Sequence, residues 1–138
     1  MDALYTAVAT ANGREGRTVS SDGQIDLQLA FPPALGGDGK GTNPEQLFAA
    51  GYAACFASAM GGVARQLKVD LKEVSVTAEV SIGKDDVDGG FGIGVVMRVE
   101  LPEHLQGEAG AKLVELTHAA CPYSKATRGN IPFEIVVE

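Results

Sequence analysis

Residues 43–67 read NPEQLFAAGYAACFASAMGGVARQL, and this stretch decides the fold. Asn43 can cap a helix, because its side-chain oxygen can accept a hydrogen bond from an unpaired N–H of the first turn. Pro44 suits the first helical position, where no N–H is needed. Gln46 stands where a capping-box partner stands. Beyond the cap, Leu47, Phe48, Tyr52, Cys55, Phe56, Met60, Val63 and Leu67 are apolar, and alanine, glycine and serine fill most of the gaps. A helix apolar nearly all round is a buried one. The spacing therefore predicts a central helix over 44–67, roughly 35 Å long at about 1.5 Å per residue.

Working outward, residues 4–10, 17–21 and 24–30 read as strands. The last of them places Ile25, Leu27 and Leu29 on one face. Asp22-Gly23 is a two-residue hairpin signal, so the first 30 residues form a three-strand meander. Residues 31–42 are rich in proline and glycine and form a loop long enough to imply a function or a covering partner. Downstream, 74–82 and 93–99 alternate as a second hairpin around a turn at 85–90. Residues 108–120 have helical spacing that Pro122 ends, 123–130 make a compact turn or short helix, and 131–137 alternate as a last strand. The order β-β-β-α-β-β-α-β, with strands arriving in antiparallel hairpins, defines an α+β fold. No linker or repeat interrupts it, so 1–138 reads as one domain.

The composition agrees. Of 138 residues, 45% are hydrophobic, and with no tryptophan the core must be largely aliphatic. A net charge of −7 gives no general attraction to nucleic acid or anionic lipid. No unbroken apolar run of about 18 residues implies a membrane span, and the first ten residues lack a signal-peptide pattern. A cytoplasmic protein is expected. The two cysteines are far apart, and His104 and His118 are not at a metal-ligand spacing, so neither a metal nor a bound cofactor is expected.

Cys55 falls in mid-helix, about three turns from the favourable N-terminal end of the dipole. Burial alone would raise its pKa and leave it inert. A reactive Cys55 needs a cation from another segment, and Arg14, Arg17 and Arg128, all near glycines, are the candidates. Arginine stays charged when partly buried and presents a planar fork of donors. A carboxylate must then hold the fork, and Glu45 opens the same helix, about 15 Å from Cys55 along the axis at about 1.5 Å per residue. Each residue also has a plain structural reading. Cys55 and Cys121 could be small core residues, Arg14 a solvated turn residue, and Glu45 a favourable charge on the helix dipole. Arg128 could pair with a carbonyl or a surface acid, Tyr123 could pack beside Pro122, and His118 could be solvated. Spacing alone leaves both sets open.

The longer motifs are more specific. Gly41-Thr42-Asn43-Pro44-Glu45-Gln46-Leu47-Phe48-Ala49-Ala50-Gly51-Tyr52, running into Ala53-Ala54-Cys55-Phe56, resembles the first cysteine signature of the organic hydroperoxide resistance (Ohr) proteins of the Ohr/OsmC superfamily. Cys121-Pro122-Tyr123-Ser124, then Ala126-Thr127-Arg128-Gly129-Asn130, resembles the second. Gly13-Arg14-Glu15-Gly16 and Gly89-Gly90-Phe91-Gly92 match as well, and Lys125 departs from the family's usual asparagine.

The resemblance implies an intertwined homodimer whose long central helices are enclosed by antiparallel sheets, with active sites at the dimer interface. It implies Cys55 as the peroxide-attacking cysteine, Cys121 as the one that resolves it to a disulfide, Arg14 as thiolate stabiliser and Glu45 as its orienting acid. The reductant would be an external dithiol such as dihydrolipoamide on a lipoylated protein. Phe48, Tyr52, Phe56, Met60 and Tyr123 are candidate substrate-lining residues that would suit alkyl or fatty-acid hydroperoxides. Two alternatives are an OsmC-type peroxidase of osmotic stress and a non-enzymatic redox sensor. For the sensor, the acidic chain offers no helix-turn-helix pattern.

Overall fold

The helix anticipated at 44–67 is α1, Pro44–Leu67, in the computed structural model, which describes Met1–Glu138. Asn43 caps it, its Oδ1 accepting the Gln46 N–H at 2.8 Å. The capping box is not closed in the anticipated way. Gln46 Oε1 instead accepts the Thr42 hydroxyl at 2.8 Å. The chain divides into two compact units, Met1–Leu47 and Phe48–Glu138, and the boundary falls inside α1 rather than in a linker.

The first unit is built on an antiparallel sheet of β1 (Ala9–Ala11), β2 (Arg17–Ser20) and β3 (Asp26–Gln28), in that spatial order. The strand expected at 4–10 pairs only at its end. Leu4 and Tyr5 are 103% and 79% exposed and find no partner strand within the chain. The turn at Asp22-Gly23 is also longer than expected, a four-residue loop closed by Ser20 N–H to Ile25 O at 2.8 Å. Hydroxyl and carboxylate chemistry sets its length. Ser20 Oγ accepts the Ile25 N–H at 2.9 Å and donates to Asp22 Oδ1 at 2.7 Å, and Asp22 Oδ1 also accepts the Gln24 N–H at 3.0 Å. Of the apolar face read from the alternation, Leu29 is buried while Ile25 and Leu27 stay exposed. The loop at 31–42 contains a 3₁₀ turn, Pro33–Leu35, and returns to β3 through a Leu29–Thr42 bridge. Gly41 permits that return, since a Cβ there would stand 2.7 Å from Gln28 O.

The second unit carries the main core. β4 (Ser75–Lys84) and β5 (Phe91–Glu100) form the long antiparallel hairpin. β6 (Phe133–Val137) joins β5 in parallel, which corrects the expectation of antiparallel sheets throughout. The reason is the connection: α2 (Glu108–Ala120) and α3 (Pro122–Thr127) form a crossover that brings the chain back in β5's direction. Tyr52, Phe56, Met60, Met97, Val99, Leu105 and Leu113 are fully or almost fully buried between helices and sheet. Gly110 lets α2 approach closely, because a Cβ there would lie 1.9 Å from Leu105 O.

The long helix is not covered all round. Tyr52, Phe56, Met60, Val63 and Ala64 form its buried stripe, while Ala50, Ala54, Ala57 and Ser58 face outward. The sheet of this chain covers one side only. By length and composition alone α1 is apolar enough to cross a membrane, but its large side chains are spent on the core of the second unit, as in the core helix of a globular fold.

Candidate active site

Each unit places one half of the expected residue set. In the first, the loop after β1 carries Arg14, preceded by Gly13 at φ +123°, a conformation glycine takes without strain. Arg14 meets Glu45 in a bidentate pair, Nη1 to Oε2 at 2.9 Å and Nη2 to Oε1 at 2.6 Å. This fork-to-carboxylate geometry is the strong form of an arginine ion pair. The hydrogen bonds from Arg14 are the main cause holding the Glu45 carboxyl below its ordinary pKa, and burial opposes them. The guanidinium also lies 5.9 Å from the centre of the Phe31 ring. Gln28 steadies the loop, its Nε2 donating to Glu15 O at 2.9 Å and Gly16 O at 3.0 Å. The other candidate cations are engaged elsewhere. Arg17 pairs with Asp26 across the β2–β3 ladder, and Arg128 Nη1 donates to His118 O at 2.7 Å, satisfying a carbonyl in the last turn of α2.

In the second unit, Cys55 and Cys121 are both free thiols, with their sulfurs 3.7 Å apart. Cys55 is half-buried on α1 and lines a cavity of about 390 Å³ with Ser58, Gly62, Gln66, Ala120 and Pro122. Cys121 is inaccessible. It ends α2, donating its N–H to Thr117 O at 2.8 Å, and begins α3, accepting the Lys125 N–H at 3.0 Å. Burial pushes the Cys55 thiol above its ordinary pKa. The Tyr123 backbone N–H works against this, and the Cys121 sulfur adds to it. No cation of the second unit is among the groups that act on Cys55.

The expected substrate-lining set separates. Tyr52, Phe56 and Met60 are 0% exposed, so they are core residues that a ligand could not touch without opening the core. Phe48 and Tyr123 remain accessible and line a cavity of about 380 Å³ with Ile93, Ala126 and Ile131. The sequence reading missed the hydroxyl cluster behind them, where Tyr52 Oη lies 2.9 Å from Ser124 Oγ and 3.1 Å from Thr127 Oγ1. It also missed Gly51, where a Cβ would stand 2.9 Å from Tyr123 Oη. A glycine in mid-helix was the available sign of a close approach. His118 is stacked on Phe133 at 4.7 Å rather than solvated, and burial holds its pKa down. No three histidine, cysteine or acidic side chains converge as a metal site.

Fold and site together define an α+β protein with a two-thiol centre at a helix junction. Residues 37–136 match the family of OsmC-like proteins. The organic hydroperoxide resistance protein of Xanthomonas axonopodis pv. citri (strain 306) is 56% identical over 131 residues, spanning 93% of this chain and 90% of its own. The crystal structure of an organic hydroperoxide resistance protein from Legionella pneumophila superposes with a TM-score of 0.92 at 46% identity, covering 99% of each chain. That of OhrB from Bacillus subtilis gives 0.88 at 44% identity, covering 99% of this chain and all of the other (100%). The chain belongs to the OsmC-like family, among its organic hydroperoxide resistance proteins.

Proposed function

We propose that this protein is a thiol peroxidase that reduces organic hydroperoxides to alcohols, and the observation that carries the reading is the 3.7 Å approach of the two free thiols. The Cys55 thiolate attacks the distal peroxide oxygen, the O–O bond breaks, and the alkoxide leaves as an alcohol after taking a proton. The resulting Cys55 sulfenic acid condenses with the Cys121 thiol, releasing water and forming the disulfide. A dithiol such as dihydrolipoamide on a lipoylated protein then exchanges the bond open, and its own two thiols are oxidised. Within its unit Cys55 has no cation to favour the thiolate, so the scheme requires one from outside. Arg14, held in a bidentate pair by Glu45, is the residue assigned to this task, and it would also stabilise charge on the departing alkoxide.

In this proposal the chain works as one domain in an intertwined cytoplasmic homodimer. The uncovered apolar residues Leu4, Tyr5, Ile25 and Leu27, and the bare small-residue face of α1, support a second copy as their cover. Phe48 and Tyr123 remain the residues proposed to receive the alkyl part of the substrate.

The test is peroxide consumption by the purified protein with a dithiol. Cys55→Ser is expected to lose all turnover. Cys121→Ser is expected to react once and to accumulate a Cys55 sulfenate. If one equivalent of an alkyl hydroperoxide leaves Cys121→Ser unoxidised, the assignment of roles is wrong.

A further inference from the structure

We propose that Tyr52 is the positioning residue for disulfide closure, fixing the approach of Cys121 to Cys55 through a buried hydroxyl cluster. The inference rests on the two-thiol reading above and extends it to a residue that touches neither sulfur. Tyr52 and Cys55 are one turn apart on α1, while Cys121 is the residue from which α3 starts. The two sulfurs face each other between these helices, and a second link joins the same helices beside them. Tyr52 Oη meets Ser124 Oγ at 2.9 Å and Thr127 Oγ1 at 3.1 Å, and both partners are on α3.

The cluster has a self-consistent set of donors and acceptors. Thr127 Oγ1 donates to the Ser124 carbonyl at 3.3 Å, which leaves it able to accept from Tyr52. Tyr52 then donates to Thr127, and Ser124 donates to Tyr52. Every hydroxyl proton is used. Tyr52 and Ser124 are 0% exposed and Thr127 6%, so water has little access to substitute for a missing partner. Tyr123, between Cys121 and Ser124, is seated against α1 at Gly51, and its backbone N–H acts on the Cys55 sulfur.

Closure requires the sulfurs to come from 3.7 Å to a bond of about 2.05 Å. The Cys121–Pro122 junction must make that short movement in the right direction, and it is tied from the Ser124 side to the helix that carries Cys55. Without the Tyr52 hydroxyl, α3 keeps its packing against α1 through Tyr123 but loses the hydrogen-bonded tie that fixes its register, and closure loses its preset geometry. A misplacement of about 1 Å can slow a positioned reaction on the order of 100-fold.

The experiment separates this role from simple packing and from the peroxidase reading. Excess Ellman's reagent is mixed with the reduced protein and the coloured thiolate is followed in time. In the first phase the Cys55 thiolate attacks the reagent's disulfide, forms a mixed disulfide and releases one coloured thiolate. In the second, Cys121 loses its proton and attacks the Cys55 sulfur, forming the Cys55–Cys121 bond and releasing another. Tyr52→Phe is expected to keep the rate of the first phase and to slow the second on the order of 10- to 100-fold. The double variant Tyr52→Phe/Ser124→Ala removes the stranded hydroxyl as well, and is expected to regain thermal stability lost by the single variant without regaining the second-phase rate. A second phase at the wild-type rate in Tyr52→Phe overturns the proposal. So does a double variant in which closure recovers together with stability. No peroxide enters the measurement, so absence of peroxide turnover in the wild type would sink the peroxidase reading alone.

Discussion

Removal of Arg14 tests the electrostatic core of the proposed mechanism. An ordinary cysteine, with a pKa of ~8.5, is only about 3% thiolate at pH 7. Burial of Cys55 lies on the wrong side of even that value, with the Tyr123 N–H and the Cys121 sulfur acting in opposite directions upon it. Alone, the second unit would therefore hold a thiol that is protonated almost completely at neutral pH. A cation in contact with a thiol commonly moves its pKa to ~3.5–7.5, which changes the thiolate fraction at pH 7 by at least about tenfold. The assay is the pH dependence of iodoacetamide alkylation in a Cys121→Ser background, where Cys55 is the only thiol. With Arg14 present, the midpoint should fall on the acid side of a free cysteine's. With Arg14→Ala it should fall on the basic side, and the rate at pH 7 should drop at least about tenfold. Arg14→Lys should recover part of the effect, because a lysine keeps the charge but cannot reproduce the two-pronged bond to Glu45. Equal midpoints with and without Arg14 would refute the reasoning.

Three further outcomes follow from the geometry. The Glu45 carboxyl is held low mainly by Arg14, so the stability it contributes is complete above the ordinary carboxylate range and is lost only as pH falls through its lowered pKa. Glu45→Gln should flatten that acid limb in denaturant titrations between pH 2 and pH 6, and an unchanged limb would count against it. Gly110→Ala should destabilise the protein by about 2 kcal/mol despite a better helix propensity, because the new methyl meets Leu105 O at 1.9 Å, and a raised Tm would contradict this. Met97→Ala, in the fully buried centre of β5, should cost about 2–5 kcal/mol in urea unfolding, with a loss under about 1 kcal/mol counting against the packing described.

The helices were the most legible part of the chain, because their ends carry chemistry that acts locally. Asn43-Pro44 opens α1 and Pro122 forces the break at Cys121 without help from distant residues. What escaped depends on partners far along the chain. The sense of β6 follows from the crossover that precedes it and not from its own alternation. The loop at Asp22-Gly23 took its length from the Ser20 hydroxyl, which a dipeptide rule ignores. For the candidate site, the long motifs single out Cys55, Cys121, Arg14 and Glu45, and only the structure shows that Cys55 meets Cys121 and Arg14 meets Glu45. The burial of Tyr52, Phe56 and Met60, expected as substrate-lining residues, has a clear reason for being missed. In a helix apolar on nearly every face, periodicity cannot tell the stripe that enters the core from the one that meets a ligand.

The position of Cys121 within the α2–α3 crossover has a consequence for endurance. A bond from it to Cys55 would tie together points 66 residues apart in the chain. Closing a loop of that size withdraws about 4 kcal/mol of freedom from the unfolded chain. The molecule waiting for its reductant would thus be the hardier of the two redox forms, tightened by the same oxidant it has just consumed.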